Sequence, residues 1–430
     1  MLAKEPILVI FCVVLFLYFV VLSIKFPMIC AAIYPFTFLS FTQIMFSVGG
    51  ISPSKYIGLP LIIVGLIYIL EEFRSKDNRN YSLLAFFGLL TLFPIWILIR
   101  FLLEGSEINL ILTLMLNVLT TFSIVVIVNS EKRKKIMEIS LGATFVLLSL
   151  SMIAAHFFPS IHLLRSIQEG EYSRTIGMAI DPNFGGAFIA IGFIYFFSKS
   201  IHYHEAKRKG LFYWYLLLLV ISIVGLGMTL SRAAILSVVV CTSIMILWGR
   251  IKIRNVIWLA VLIISSIVVV VRFPASIEGI IYRFSIASTD YSNIARLEIF
   301  QRGMHAVENN MLIGIGQLAS YHNVFIDIAA SSGIIGLLSF ALIIVVVFMM
   351  NVKIMISTAR MFQETARFVV FGLFVIVFNG MFIGMEQERI VWFLFGWGII
   401  NFILYSKAHP VEKTTPAFAT QLNLESNHPG

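Results

Sequence analysis

From Ile7 to Tyr405 the chain is a succession of apolar runs, most of them about as long as a helix must be to cross a bilayer core of roughly 30 Å. The runs fall at about 7–24, 28–48, 56–70, 81–103, 108–129, 139–158, 178–198, 211–230, 233–248, 256–272, 324–350, 367–385 and 390–406. They are apolar throughout, whereas the strands of a transmembrane barrel alternate apolar and polar residues. Only 12% of the residues are charged, about half the share of an ordinary soluble domain, so water cannot be the solvent on all sides. The expected fold class is all-α: a polytopic transmembrane helical bundle of about 12–13 spans, with one long external loop carrying an amphipathic helix. Residues 1–406 read as a single integral membrane domain. Residues 407–430 read as a cytoplasmic tail, expected to be disordered because it is polar and rich in Pro, Thr and Asn.

The net charge of +9 does not point to nucleic acid. The basic residues concentrate in short loops between runs, as positive-inside topology and anionic lipid headgroups require. Cys12, Cys30 and Cys241 all sit in apolar runs, with no metal spacing and no disulfide framework. The first run follows Lys4-Glu5-Pro6 without a small-residue cleavage site after it and reads as a retained helix.

Orientation follows from the loops densest in Lys and Arg, "EKRKK" (131–135), "HEAKRKG" (204–210) and "GRIKIR" (249–254), which belong in the cytoplasm. Alternation then places residues 159–177, the turn at Ser231-Arg232 and the stretch 273–323 outside. Thirteen spans would leave the N-terminus outside. Twelve, with the run 28–48 re-entrant or paired with its neighbour as half-spans, would put both ends inside. Within the long outer stretch, Ile294, Leu297, Phe300, Met304 and Val307 form one helical stripe from which Arg296, Arg302 and Glu308 are excluded. Such a helix suits the membrane surface or the roof of a cavity.

Arg174, Arg232, Arg283, Arg296 and Arg302 remain outside against the positive-inside bias, and none of the five is a lysine. Headgroup snorkelling accounts for any one of them. For the set, an anion-binding cavity is the more economical account, because a guanidinium fork binds two phosphate oxygens at once. Asp181-Pro182-Asn183 opens a helix, and a helix cap explains Asp181 and Pro182 but not Asn183. Of the eight histidines, His322 alone stands at the outer end of a span beside a second polar side chain, Asn323. It is either a helix cap or a group that titrates near neutrality. No second His or carboxylate is spaced for a metal beside it, except Asp327 five residues on, so no metal site is expected.

The order Arg174-x-x-Gly177, Asp181-Pro182-Asn183, Ser231-Arg232-Ala233, Arg296, Gly314-x-Gly316, His322-Asn323, Gly333-x-x-Gly336 resembles the O-antigen polymerase and O-antigen ligase superfamily of bacterial membranes. The likeness covers roughly residues 170–345, and Phe300 departs from it where many members carry Trp. It implies metal-independent glycosyl transfer, without a cofactor, on the external or periplasmic side of the cytoplasmic (inner) membrane. The donor would be a polyprenyl-diphosphate-linked glycan, and the partners the lipid bilayer and other polysaccharide-assembly membrane proteins. On this resemblance His322 and Arg296 are the catalytic candidates. Arg174, Arg232, Arg283, Asn183 and Asn323 are candidates for binding diphosphate and sugar.

Two reactions share this chemistry. A polymerase joins lipid-linked repeat units into O-antigen, capsule or exopolysaccharide; a ligase moves the finished glycan to another acceptor such as lipid A core. The modest outer loop, with no extra domain to grip an acceptor, favours polymerisation. A transporter or flippase of an anionic or lipid-linked substrate is the reading from another class. It predicts inverted repeats and helices broken at the midplane, and neither is visible in the sequence.

Overall fold

Inside a bilayer each backbone N–H and C=O must be satisfied within the chain, which forces the apolar runs to be helices. The computed structural model describes residues 6–39, 53–74, 81–104, 108–158, 165–169, 172–179, 181–247, 291–317 and 320–409. The elements in order are α1 Pro6–Lys25, α2 Pro27–Ile33 with a 3-10 turn Tyr34–Phe38, α3 Pro53–Arg74, α4 Tyr81–Glu104, α5 Ile108–Ile127 and α6 Glu131–Phe157. A ribbon of β1 Arg165–Glu169 and β2 Tyr172–Gly177 follows, then α7 Pro182–Glu205, α8 Lys209–Thr229, α9 Arg232–Leu247, α10 Tyr291–Asn309, α11 Val324–Ile356, α12 Arg360–Gly380 and α13 Arg389–Ala408. The expected loop 249–254, the run 256–272, Arg283, the second half of 28–48 and nearly all of the tail lie outside the described residues.

The class is the expected one: an all-α polytopic membrane bundle. Eight of the described helices are long and apolar enough to cross a membrane, and α5 and α9 are apolar but shorter. α1 and the α2 segment bend by 120° at Phe26. Pro27 has no N–H to continue α1, and it excludes Phe26 from the helical region, where φ is −135°. This bend is the half-span or re-entrant geometry anticipated for the run 28–48. α6 begins at Glu131 rather than near 139 because its basic first turns are themselves helical, capped by the Ser130 hydroxyl, which accepts the Arg133 N–H.

α7 is the centre of the bundle, with 94% of its apolar window buried. Lys199 on α7 lies between Glu138 of α6 and Glu364 of α12, forming an ion pair with each. A buried charge with two partners ties three helices together where a lone lysine would be prohibitive.

Two features went unread in the sequence. The segment after α6 forms the antiparallel β1–β2 ribbon, the sole sheet among the described residues. α11 is interrupted at Gly333, whose φ of 68° and ψ of −172° are not helical. The backbone groups freed by the break are taken up by the preceding loop: Ile315 N–H donates to Ala330 O, Gly316 N–H to Ser331 O and Ile334 N–H to Met311 O. Trp96 and Arg100 of α4 fasten the same join, the indole to Ser332 O at 2.7 Å and the guanidinium to Ile313 O at 2.7 Å and Gly314 O at 3.0 Å. Only glycine fits the join, because a Cβ at residue 333 would stand 2.2 Å from Leu312 O. The part of α11 after the break is about 35 Å long at 1.5 Å per residue, enough to cross the core alone. The first part, Val324–Ser332, is therefore a short helix above the span, and its N-terminus is free to face something other than lipid.

Candidate active site

β2 is stitched to the outer end of α8. Thr175 Oγ1 donates to Met228 O at 2.9 Å and Arg174 Nε to Thr229 O at 3.1 Å. Arg174 is 6% exposed, and its Nη2 donates to Asn183 Oδ1 at 2.9 Å. α7 starts beside this stitch, with Asp181 as N-cap accepting the Asn183 N–H at 2.8 Å. Its glycine-bearing first turn closes on the α8–α9 turn, since a Cβ on Gly186 would stand 2.8 Å from that of Ser231. The chain reverses there through Leu230 in the left-handed region, φ 51°, which makes Arg232 the first residue of α9. The cap, the close glycine contact and the short turn set Asn183 next to Arg232.

From the other side come α10 and the turn before α11. α10 meets them at Gly303, against Ile326 and Tyr321, so the helix packs through its small residue. Of the apolar stripe read from the sequence, Leu297 and Phe300 line the cavity described next, and Leu297, Phe300 and Met304 are 59%, 40% and 40% exposed. Asn323, not His322, caps α11, its Oδ1 accepting the N–H groups of Phe325 and Ile326 and its Nδ2 donating to Met381 O at 3.2 Å. The capping alternative for His322 is thereby set aside. His322 sits just before the cap with φ 56°, a conformation that costs a residue with a side chain about 1–3 kcal/mol.

These pieces enclose a cavity of about 620 Å³. Arg232 and Leu236 of α9, Arg296 and Phe300 of α10, Tyr321, His322 and Asn323, Asn183 of α7, Asn379 of α12, and Met381, Phe382 and Ile383 just after α12 line it. No carboxylate lines it among the described residues. The helices α7, α9 and α11 all begin at its wall, so three positive dipole ends converge with two guanidinium groups. Burial holds the His322 imidazole below its ordinary pKa, and the Arg296 charge lowers it further, while Asp181 opposes them. The cavity is a ready anion site with one neutral base at its edge.

Of the sequence candidates, His322, Arg296, Arg232, Asn183 and Asn323 come together in this cavity, although their positions span 140 residues of sequence. Arg174 reaches it only through Asn183. Arg302 is not among the lining residues, and Arg283 lies outside the described ones. Sequence reasoning missed Tyr321, Asn379 and the segment 381–383. Asn379 had a signal, a lone amide near the outer end of an apolar run; here its Nδ2 donates to Ser237 Oγ at 3.1 Å.

Residues 217–341 match the model of a family described as O-antigen ligase. Over that segment the chain is similar to the O-antigen ligase family. The match supports the superfamily resemblance drawn from the motifs. It takes in Arg232, Arg296, His322-Asn323 and the Gly333 break, and covers somewhat under a third of the chain. Arg174 and the Asp181–Asn183 cap stand before the matched segment, yet pack against it. No curated protein matches the chain in sequence. The matched segment supplies most of the cavity wall, and Asn183 of α7 with Asn379 and residues 381–383 completes it. The match, together with eight described helices long and apolar enough to cross a membrane, supports an O-antigen ligase- or polymerase-type membrane function, for which the family implies a lipid-linked glycan substrate.

Proposed function

We propose that the protein is a metal-independent glycosyltransferase that polymerises polyprenyl-diphosphate-linked oligosaccharide repeat units on the outer face of the cytoplasmic membrane. The observation that carries this reading is the convergence of Arg232, Arg296 and three helix N-termini on one cavity edged by His322 and lined by no carboxylate among the described residues. An acceptor hydroxyl oxygen attacks the anomeric carbon of the donor, the bond from that carbon to the diphosphate oxygen breaks, and the polyprenyl diphosphate leaves with the bonding electrons. His322 accepts the hydroxyl proton, for which its neutral form is required. Negative charge grows on the leaving diphosphate, and donors already aimed at that position stabilise the transition state more than the ground state. Arg232 and Arg296 fill this role, with Asn183 directed to the sugar. In this account Arg174 acts indirectly by orienting Asn183, and Asn323 by capping the helix that presents His322.

Ligation to a different acceptor would use the same donor site, and the family description names that reaction. The purified protein in liposomes, given radiolabelled lipid-linked repeat unit with a chelator present, separates the readings. Polymerisation gives a ladder of lengthening glycans. A single transfer, seen only when a second acceptor lipid is added, identifies a ligase. Donor that crosses the bilayer unchanged identifies a transporter and overturns the enzymatic reading.

A further inference from the structure

Two acids that the chemistry above does not use lie behind the turn carrying His322. Asp327, in the first turns of α11, accepts the Tyr321 N–H on Oδ1 at 2.5 Å and has the Asn323 backbone as a second hydrogen-bond partner. It thus holds both neighbours of His322, the residue forced to a positive φ. The other Asp327 oxygen, Oδ2, is buried, and so is Glu386 Oε2 in the segment between α12 and α13. Neither has a hydrogen-bond partner among the described residues. Both oxygens border Gly384: a Cβ there would stand 2.8 Å from Asp327 Oδ2 and 3.4 Å from Glu386 Oε2. The residues are 3% and 7% exposed.

Two ionised carboxylates facing each other out of water repel strongly, and each would leave an unsatisfied oxygen. One proton between them removes both difficulties, because the protonated acid donates its O–H to the ionised one. We propose that protonated Glu386 and ionised Asp327 form an acid–carboxylate pair across Gly384 that locks the Tyr321–Asn323 turn and so sets His322 in the cavity. Both are positioning residues. Burial and the Asp327 charge push the Glu386 carboxyl up to about 7, the direction the pair requires, with Glu388 adding to the rise and a Gln387 hydrogen bond opposing it. The functional consequence rests on the role proposed for His322; the lock itself does not.

The test compares Glu386→Ala and Asp327→Ala with the isosteres Glu386→Gln and Asp327→Asn, each of which keeps one N–H donor facing one oxygen acceptor. Two measurements are made on the purified full chain: amide hydrogen exchange over residues 320–326, and turnover of the lipid-linked donor per folded molecule. The alanine variants should exchange at least about 10-fold faster at Tyr321 and Asn323. They should also lose about 10-fold or more in kcat, with KM for the donor changed less than about 3-fold. The isosteres should stay within about 3-fold of the parent in both. Isosteres as damaged as the alanines would mean that two charges, not one shared proton, are needed, as at a cation site, and would overturn the pair. Alanine variants with parental exchange would overturn the lock, and alanine variants with fast exchange but parental kcat would overturn the positioning role. If His322→Ala kept full turnover, the base assignment would fall, while the exchange contrast between Glu386→Ala and Glu386→Gln would still decide the lock.

Discussion

His322→Ala is expected to lower turnover of the lipid-linked donor by about 10²–10⁴-fold, the usual contribution of a positioned acid–base group, with donor binding retained. Folding should not confound the result. The α11 cap belongs to Asn323, and His322 lines the cavity without a part in that cap. The pH profile supplies a second signature. The working form is the neutral imidazole, so activity falls as pH drops through the group's pKa. Burial and the Arg296 charge hold that pKa below its ordinary value, so the parent should be near its plateau at pH 7 and lose activity only on the acid side of about 6.5. The alanine variant should lack this limb. Specific activity near the parent's would leave the arginines and helix ends as the whole site.

Arg232→Lys is expected to be nearly as damaging as Arg232→Ala, each losing about 10²-fold or more in kcat, the scale of removing one preorganised donor from a developing anion. A lysine at the first position of α9 keeps the charge but loses the planar fork that meets two diphosphate oxygens together. Glycan chain formation in a deletion strain carrying each variant, normalised to membrane protein level, is the measurement. Full rescue by lysine would reduce Arg232 to an interfacial anchor.

The helices were legible because apolar length is a local property, and a bilayer leaves the backbone no other option. The runs 7–24, 81–103 and 390–406 each agree with a helix to within a few residues. Three of the residues that line the cavity, Arg232, Arg296 and His322, stood out for a different reason: an arginine that the positive-inside bias would disfavour, or a histidine where a cap would suffice, is visible in one dimension. What could not be read is what distant segments do to one another. Nothing local to Gly333 tells that Leu312, Trp96 and Arg100 converge there. Glu138 and Glu364 each look like a charge too many for a span until Lys199 is placed between them. The burial of Arg174, a candidate ligand for phosphate, was likewise not legible: it is buried and donates to Thr229 O and Asn183 Oδ1.

The central claim is that the diphosphate of the donor sits in the cavity between α9, α10 and the His322 turn. The most direct measurement is an experimental structure of the protein with polyprenyl diphosphate bound. The account predicts phosphate oxygens at about 2.7–3.2 Å from the Arg232 and Arg296 guanidinium groups, with His322 facing the position of the departing sugar. A diphosphate bound elsewhere, with these three side chains facing empty solvent or lipid, would contradict it.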